Sequence, residues 1–177
     1  MTPTPSILPD DDLGRTATIV HADDPGLLHL GVGGGTYTIL ISGKDTGGRY
    51  TLIDMYVPTG GPPPHRHDFE EMFYILEGEL DVTFRGELHR VGPGQSINVP
   101  ANAPHSFRVA SAGPARMLCL CLPAGQEEFF ELVGEKVPSR TSPPTLLSQE
   151  EAVARRTFAA SLAERFRTEF LPPPAQP

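Results

Sequence analysis

Residues 60–78 read GGPPPHRHDFEEMFYILEG, and the stretch Pro64-His65-Arg66-His67-Asp68-Phe69-Glu70-Glu71 within them carries the chemistry. On a strand, side chains two apart share a face, so His65 and His67 project the same way. Three residues intervene before Glu71, enough for a bend that brings a carboxylate alongside the imidazoles. Imidazole and carboxylate together suit Mn, Fe, Co, Ni, Cu or Zn. His105 follows in Val99-Pro100-Ala101-Asn102-Ala103-Pro104-His105, where two prolines and an asparagine fit a tight turn that opens a new strand. A neighbouring antiparallel strand can then supply a fourth ligand. An isolated His-x-His occurs often by chance. The frame sets this one apart: three prolines before it, Glu71 and Gly78 after it, then Gly94, Pro100 and His105 in order.

Working outward, short strand-like segments surround this stretch. Thr16–Val20 is β-branched, and Thr36–Ser42 follows a run of glycines. Tyr50–Val57 places Ile53, Met55 and Val57 on one face. Glu71–Leu76 and Glu79–Arg85 are joined at Gly78, and in the second Leu80, Val82 and Phe84 alternate with polar residues. Ser96–Val99, Ser106–Ala110 and Ala115–Leu122 complete the set. Short strands punctuated by Gly and Pro predict an all-β sandwich or barrel. The run Gly33–Gly35 precedes a strand rather than a helix and lacks a Lys-Ser/Thr pair, so it is not a phosphate loop.

The pattern changes after Pro123. Gln126–Val133 reads as a short helix with Phe129, Phe130 and Val133 apolar. Pro138 to Pro144 is a linker. A longer helix is expected from Gln149 to Phe170, opened by Ser148 with Glu151 as a capping box and stopped by Pro172. Its stripe of Phe158, Leu162, Phe166 and Phe170 would pack on the barrel or a partner subunit, or close the barrel mouth as a lid. The organisation expected is a flexible tail over 1–12, a barrel over 13–123 and a helical extension over 124–177.

Composition bounds the rest. The 177 residues are enough for one domain with its own core. Net charge is −8, with no basic cluster, which argues against nucleic-acid binding. Residues 1–12 lack a basic n-region and an apolar run, and the longest apolar run, Met117–Leu122, is far below membrane-spanning length. A cytoplasmic protein is expected. Cys119 and Cys121 are the two cysteines; a disulfide between strand neighbours two apart would be strained, and both read as reduced, buried thiols. His21, His29 and His89 read as surface or structural residues.

The segment Gly60–Gly78 resembles the first cupin motif, G-x5-HxH-x3,4-E-x6-G, and Gly94–His105 resembles the second, G-x5-PxG-x2-H-x3-N. His65, His67, Glu71 and Gly78 match the first at its spacings; Gly94, Pro100 and His105 match the second. The stretch FYILEGELDV is also typical of cupins. Thr59 stands where the first motif has its leading Gly, with Gly60 beside it; Asn102 replaces the second motif's Gly, and Val109 its final Asn. Asn tolerates positive φ, so the turn survives. The resemblance covers about Tyr50 to Leu122.

It implies an all-β fold, the double-stranded β-helix or jelly-roll barrel, here with one or two C-terminal helices. It also implies one divalent transition metal per chain (Fe, Mn, Ni, Cu, Co or Zn) on His65, His67, Glu71 and His105. Glu70 competes for the carboxylate role, but only Glu71 has the six-residue gap to Gly78 and is in phase with Phe73 and Ile75. The open metal positions suggest a dioxygenase-like oxidoreductase with Glu71 as base. Met55, Phe73, Ile75 and Phe107 would line an apolar pocket for a small aromatic or enolic substrate. The alternatives are a metal-dependent isomerase or lyase, or a non-catalytic binder of a small ligand. Cupins of this size commonly pair, so a homodimer is expected.

Overall fold

β-Branched and aromatic residues in period-two alternation pair into two antiparallel sheets. The computed structural model describes residues 7–172. Its elements in order are β1 (Leu28–Val32), β2 (Gly35–Ile41), a single helical turn α1 (Gly43–Thr46), β3 (Thr51–Val57), β4 (His65–His67), β5 (Glu70–Glu77), β6 (Leu80–Phe84), β7 (Glu87–Val91), β8 (Ser96–Val99), β9 (His105–Val109) and β10 (Ala115–Leu122). There follow α2 (Gln126–Val133), β11 (Glu135–Lys136), α3 (Gln149–Leu162), a 3-10 turn (Glu164–Phe166) and β12 (Thr168–Phe170). The larger sheet runs β11-β1-β2-β3-β10-β5-β8 and the smaller β12-β4-β9-β6-β7. This is a jelly-roll barrel with C-terminal helices.

The alternating positions face inward as expected. Ile53, Met55 and Val57 of β3, Phe73 and Ile75 of β5, Leu80 and Val82 of β6, and Met117 of β10 are each at most 2% exposed. Full burial of one such side chain is worth about 1.5–3 kcal/mol. Two glycines admit no replacement here. Gly61 passes so close to β9 that a Cβ would lie 1.9 Å from the Phe107 carbonyl oxygen. Gly78 turns β5 into β6 at φ +71, with the Pro114 carbonyl oxygen 2.5 Å from where a Cβ would sit.

Two expectations are corrected. Thr16–Val20 forms no strand: all five residues are exposed and none pairs with a sheet. β-Propensity stabilises a strand only where a neighbouring strand offers a ladder and a face to pack on. The long helix stops at Leu162 rather than Phe170. A strict four-residue spacing drifts about 40° around a helix at each step, so four such residues cannot share one stripe. Phe158 is 48% exposed, whereas Leu162 and Phe166 pack against the core. The chain then reverses at Arg167, in the left-handed region at φ 53, and β12 pairs with β4. The strands β1, β7, β11 and β12 lie outside those expected: β11 and β12 are two or three residues long, and four of the five residues of β7 are exposed; His65 and His67 do share a strand, the three-residue β4. The short helix α2 has the expected bounds and buries Phe129, Phe130 and Val133. Ser148 caps α3 through the expected box with Glu151. Of the tail expected over 1–12, residues 1–6 lie outside those described, and 7–12 are exposed.

Candidate metal centre

Three histidines from the smaller sheet meet one glutamate from the larger. His65 and His67 are the first and last residues of β4, and His105, which opens β9, is the cross-strand partner of His65. Glu71, the second residue of β5, pairs with Val99 of β8 on one side and Cys121 of β10 on the other. The turn before β9 is tied to β4 by the Asn102 N–H, which donates to the His67 carbonyl at 2.6 Å. Asn102 has φ 67, as its place at the motif's glycine position demands. One ligand atom from each of His65, His67, Glu71 and His105 lies within 4.8 Å of every other.

Each imidazole is oriented by a backbone carbonyl. Nδ1 of His65 lies 2.9 Å from the Pro63 oxygen, Nδ1 of His67 2.9 Å from the Phe69 oxygen, and Nδ1 of His105 3.0 Å from the Ala103 oxygen. A carbonyl only accepts, so Nδ1 carries a proton in all three rings, leaving Nε2 as the ring nitrogen that can serve as a metal ligand. Nε2 of His67 and Nε2 of His105 approach the same atom, Oε2 of Glu71, at 3.2 and 3.1 Å. With metal–ligand bonds near 2.1 Å, donors at right angles lie about 3.0 Å apart, so these two separations suit ligands of one ion. Phe69 stacks on His67 with ring centroids 3.8 Å apart and planes 4° from parallel.

The electrostatics point the same way. Burial pushes the Glu71 carboxyl up, but hydrogen bonds from His105 and His67 outweigh it and hold the group below the ordinary carboxylate range. Burial pulls His105 down, yet the hydrogen bond and charge of Glu71 leave it above its ordinary value. Burial, then the neighbouring His105, pushes His65 down to about 4. Glu70 turns away, its oxygens accepting from Asn98 Nδ2 at 2.8 Å and the Ala101 N–H at 3.2 Å.

Met55, Phe73, Ile75 and Phe107 are all buried, and Phe73 and Phe107 meet edge-on with centroids 5.4 Å apart. A cavity of about 450 Å³ opens beside His67, bounded by Arg66, Asn102, Arg167 and Glu169 rather than by those four. The C-terminal segment forms one wall of it, because β12 pairs Thr168 with His67 and Phe170 with His65. Two features of the centre carry no sequence signal of their own: the stacking of Phe69, and the approach of Cys119 Sγ to Oε1 of Glu71 at 3.3 Å. Strand alternation put both cysteines on one face but not against a carboxylate. His29 is buried and bonds Thr38 Oγ1 at 2.8 Å, a structural role; His21 and His89 lie at the surface.

Two antiparallel sheets enclosing a three-histidine, one-glutamate cluster define a small barrel able to hold a metal ion. A family model described as a cupin domain matches residues 53–121. The chain is 32% identical over 89 residues to an uncharacterised protein of Methanocaldococcus jannaschii, which covers 49% of this chain and 71% of that one. It is 29% identical over 132 residues to quercetin 2,3-dioxygenase of Bacillus subtilis, covering 72% of this chain and 38% of the enzyme. The chain thus spans well under half the length of that relative. Among solved structures, the polyketide cyclase RemF of Streptomyces resistomycificus superposes with a TM-score of 0.54 at 25% identity, over 82% of this chain and 97% of RemF. The chain belongs to the cupin superfamily.

Proposed function

We propose that the barrel is a metal-dependent enzyme, a dioxygenase-like oxidoreductase acting on a small aromatic or enolic substrate. The observation that carries the metal is the clustering of three imidazoles and one buried carboxylate within 4.8 Å of one another, each ring oriented by a backbone carbonyl at its Nδ1. The substrate class rests on the similarity to quercetin 2,3-dioxygenase over 72% of the chain, since quercetin is an enolic aromatic. When bound, the metal supplies Lewis acidity toward an enolic oxygen and, as Fe, Mn, Ni or Cu, a route for O2. Glu71 would act as the base that takes the enolic proton when its bond to the metal is loose. His65, the partly exposed member of the cluster, marks the side from which substrate enters. Met55, Phe73, Ile75 and Phe107 continue the inward face of the strands and would exclude water beneath the substrate.

A second reading, a non-oxidative metal enzyme such as an isomerase or lyase, is favoured by the similarity to a polyketide cyclase over 97% of that protein. One experiment separates the two. The full chain, purified without chelator or metal-affinity resin, is assayed for metal content beside a His65→Ala/His105→Ala variant, then given flavonols and other enolic aromatics in an O2 electrode. Stoichiometric metal lost in the variant, with O2 and substrate consumed together, is the expected result. Substrate loss under a flat O2 trace selects the second reading. Absence of metal after reconstitution overturns both.

A further inference from the structure

The carboxylate at the centre has two oxygens with different surroundings. Oε2 faces the imidazoles of His67 and His105. Oε1 faces two thiols: Cys119 Sγ at 3.3 Å and Cys121 Sγ at 3.9 Å. The two sulfurs are 3.6 Å apart. Both cysteines belong to β10, the strand beside β5, and Cys121 is the direct cross-strand partner of Glu71. Both are fully buried.

We propose that Cys119, Cys121 and Oε1 of Glu71 form a second metal site, for a thiophilic cation such as Zn(II) or Cd(II), with Glu71 bridging the two ions. Tetrahedral zinc with bonds near 2.3 Å to sulfur and 2.0 Å to oxygen sets its sulfurs about 3.8 Å apart and sulfur from oxygen about 3.5 Å. The separations of 3.6, 3.3 and 3.9 Å form one face of that tetrahedron. Three protein donors leave the fourth position to an exogenous ligand. A buried cysteine usually acts as a small apolar side chain, but a core-filling role does not require both sulfurs to point at a carboxylate oxygen, and these do.

Charge balance permits double occupancy. Each thiol releases its proton to solvent as the ion binds, so two thiolates offset the two positive charges that the ion brings. The net charge of the cluster is then the same with one ion or two. Thiolate also separates the sites by chemistry, since sulfur selects soft cations while the imidazole set accepts the harder members of the series.

The site shares Glu71 with the imidazole centre proposed above but stands without it. The test is a titration of the reduced, metal-free full chain with Cd(II), following bound cadmium by equilibrium dialysis and the ultraviolet thiolate-to-cadmium absorption. The wild type should bind two equivalents and develop the band. Cys119→Ser/Cys121→Ser should bind one equivalent without the band, and that retained equivalent shows the variant is folded. His67→Ala/His105→Ala should bind one equivalent with the band. A wild type that binds one equivalent with no band overturns the thiolate site and leaves the imidazole centre intact. A His67→Ala/His105→Ala protein that binds as the wild type does overturns the imidazole centre instead.

Discussion

His67 is held from three directions. Its Nδ1 donates to the Phe69 carbonyl, its ring lies against the Phe69 ring, and its Nε2 faces Glu71. Groups that orient a ligand are worth about 10–100-fold in metal affinity. Phe69→Leu should therefore weaken metal retention by about that factor, measured by competition with a coloured chelator, while the barrel stays folded. Spacing on a strand makes His65 and His67 legible as a pair sharing one face; Glu71 and His105, which lie on other strands, are legible through the cupin motif spacing that they match. Phe69 is not, because it sits between β4 and β5, where period-two alternation does not hold. The cysteines are legible as inward-facing only; which buried group they meet depends on the long-range register of β10 on β5. A second residue-scale pair joins residues 62 apart in sequence. Asp54 of β3 is 1% exposed and accepts hydrogen bonds from Nε and Nη2 of Arg116. Removing one partner of a buried ion pair strands the other at a cost of about 3–5 kcal/mol. Arg116→Leu should lower the urea midpoint accordingly, and adding Asp54→Leu should restore most of it.

Strands and helices differ in how far local sequence decides them. In β6 the alternation is correct, yet one of its polar positions, Asp81, is buried, because Arg90 of β7 and Arg108 of β9 lie opposite it in the ladder and reach back to its carboxylate. The Arg90 guanidinium, then Arg108, lowers the Asp81 carboxyl below its usual 3.8 against the opposing effect of burial. A carboxyl whose folded value lies below its unfolded value stabilises the fold above the unfolded value, and that contribution is lost as pH falls through the folded one. Asp81→Asn should thus flatten the acid limb of a stability-versus-pH curve below about pH 4, with the wild type falling more steeply. The start of α3 is decided locally: Ser148 Oγ accepts from the Glu151 N–H, and Glu151 accepts from the Ser148 N–H. Its end is decided by tertiary structure, since β12 satisfies the edge of β4 that a longer helix would leave open. Ser148→Ala should cost about 1 kcal/mol. No residue of α3 is fully buried, so the loss should appear as amide exchange about five-fold faster in α3, with β3 and β10 unchanged.

At the scale of the molecule, the exposed segments predict association. The stretch Thr16–Val20 keeps a β-branched sequence but joins no sheet, and nearby Leu13 and Ile19 are 87% and 91% exposed. At the outer edge of the smaller sheet, β7 leaves its backbone groups unpaired on one side and Leu88 62% exposed. Unpaired edges and large exposed apolar side chains are what a second copy covers. Two-fold pairing is the commonest closed arrangement and presents the same patch from both chains. Burying Leu13 and Ile19 in such an interface would return about 1.5–3 kcal/mol for each side chain. Light scattering at micromolar concentration should give a mass of two 19.1 kDa chains. Leu13→Asp/Ile19→Asp should shift that mass to one chain without altering the metal content, because neither residue touches the centre. A wild-type mass of one chain would overturn the dimer, and a dimer unaffected by the double substitution would move the interface away from the N-terminal stretch, leaving the β7 edge to form it.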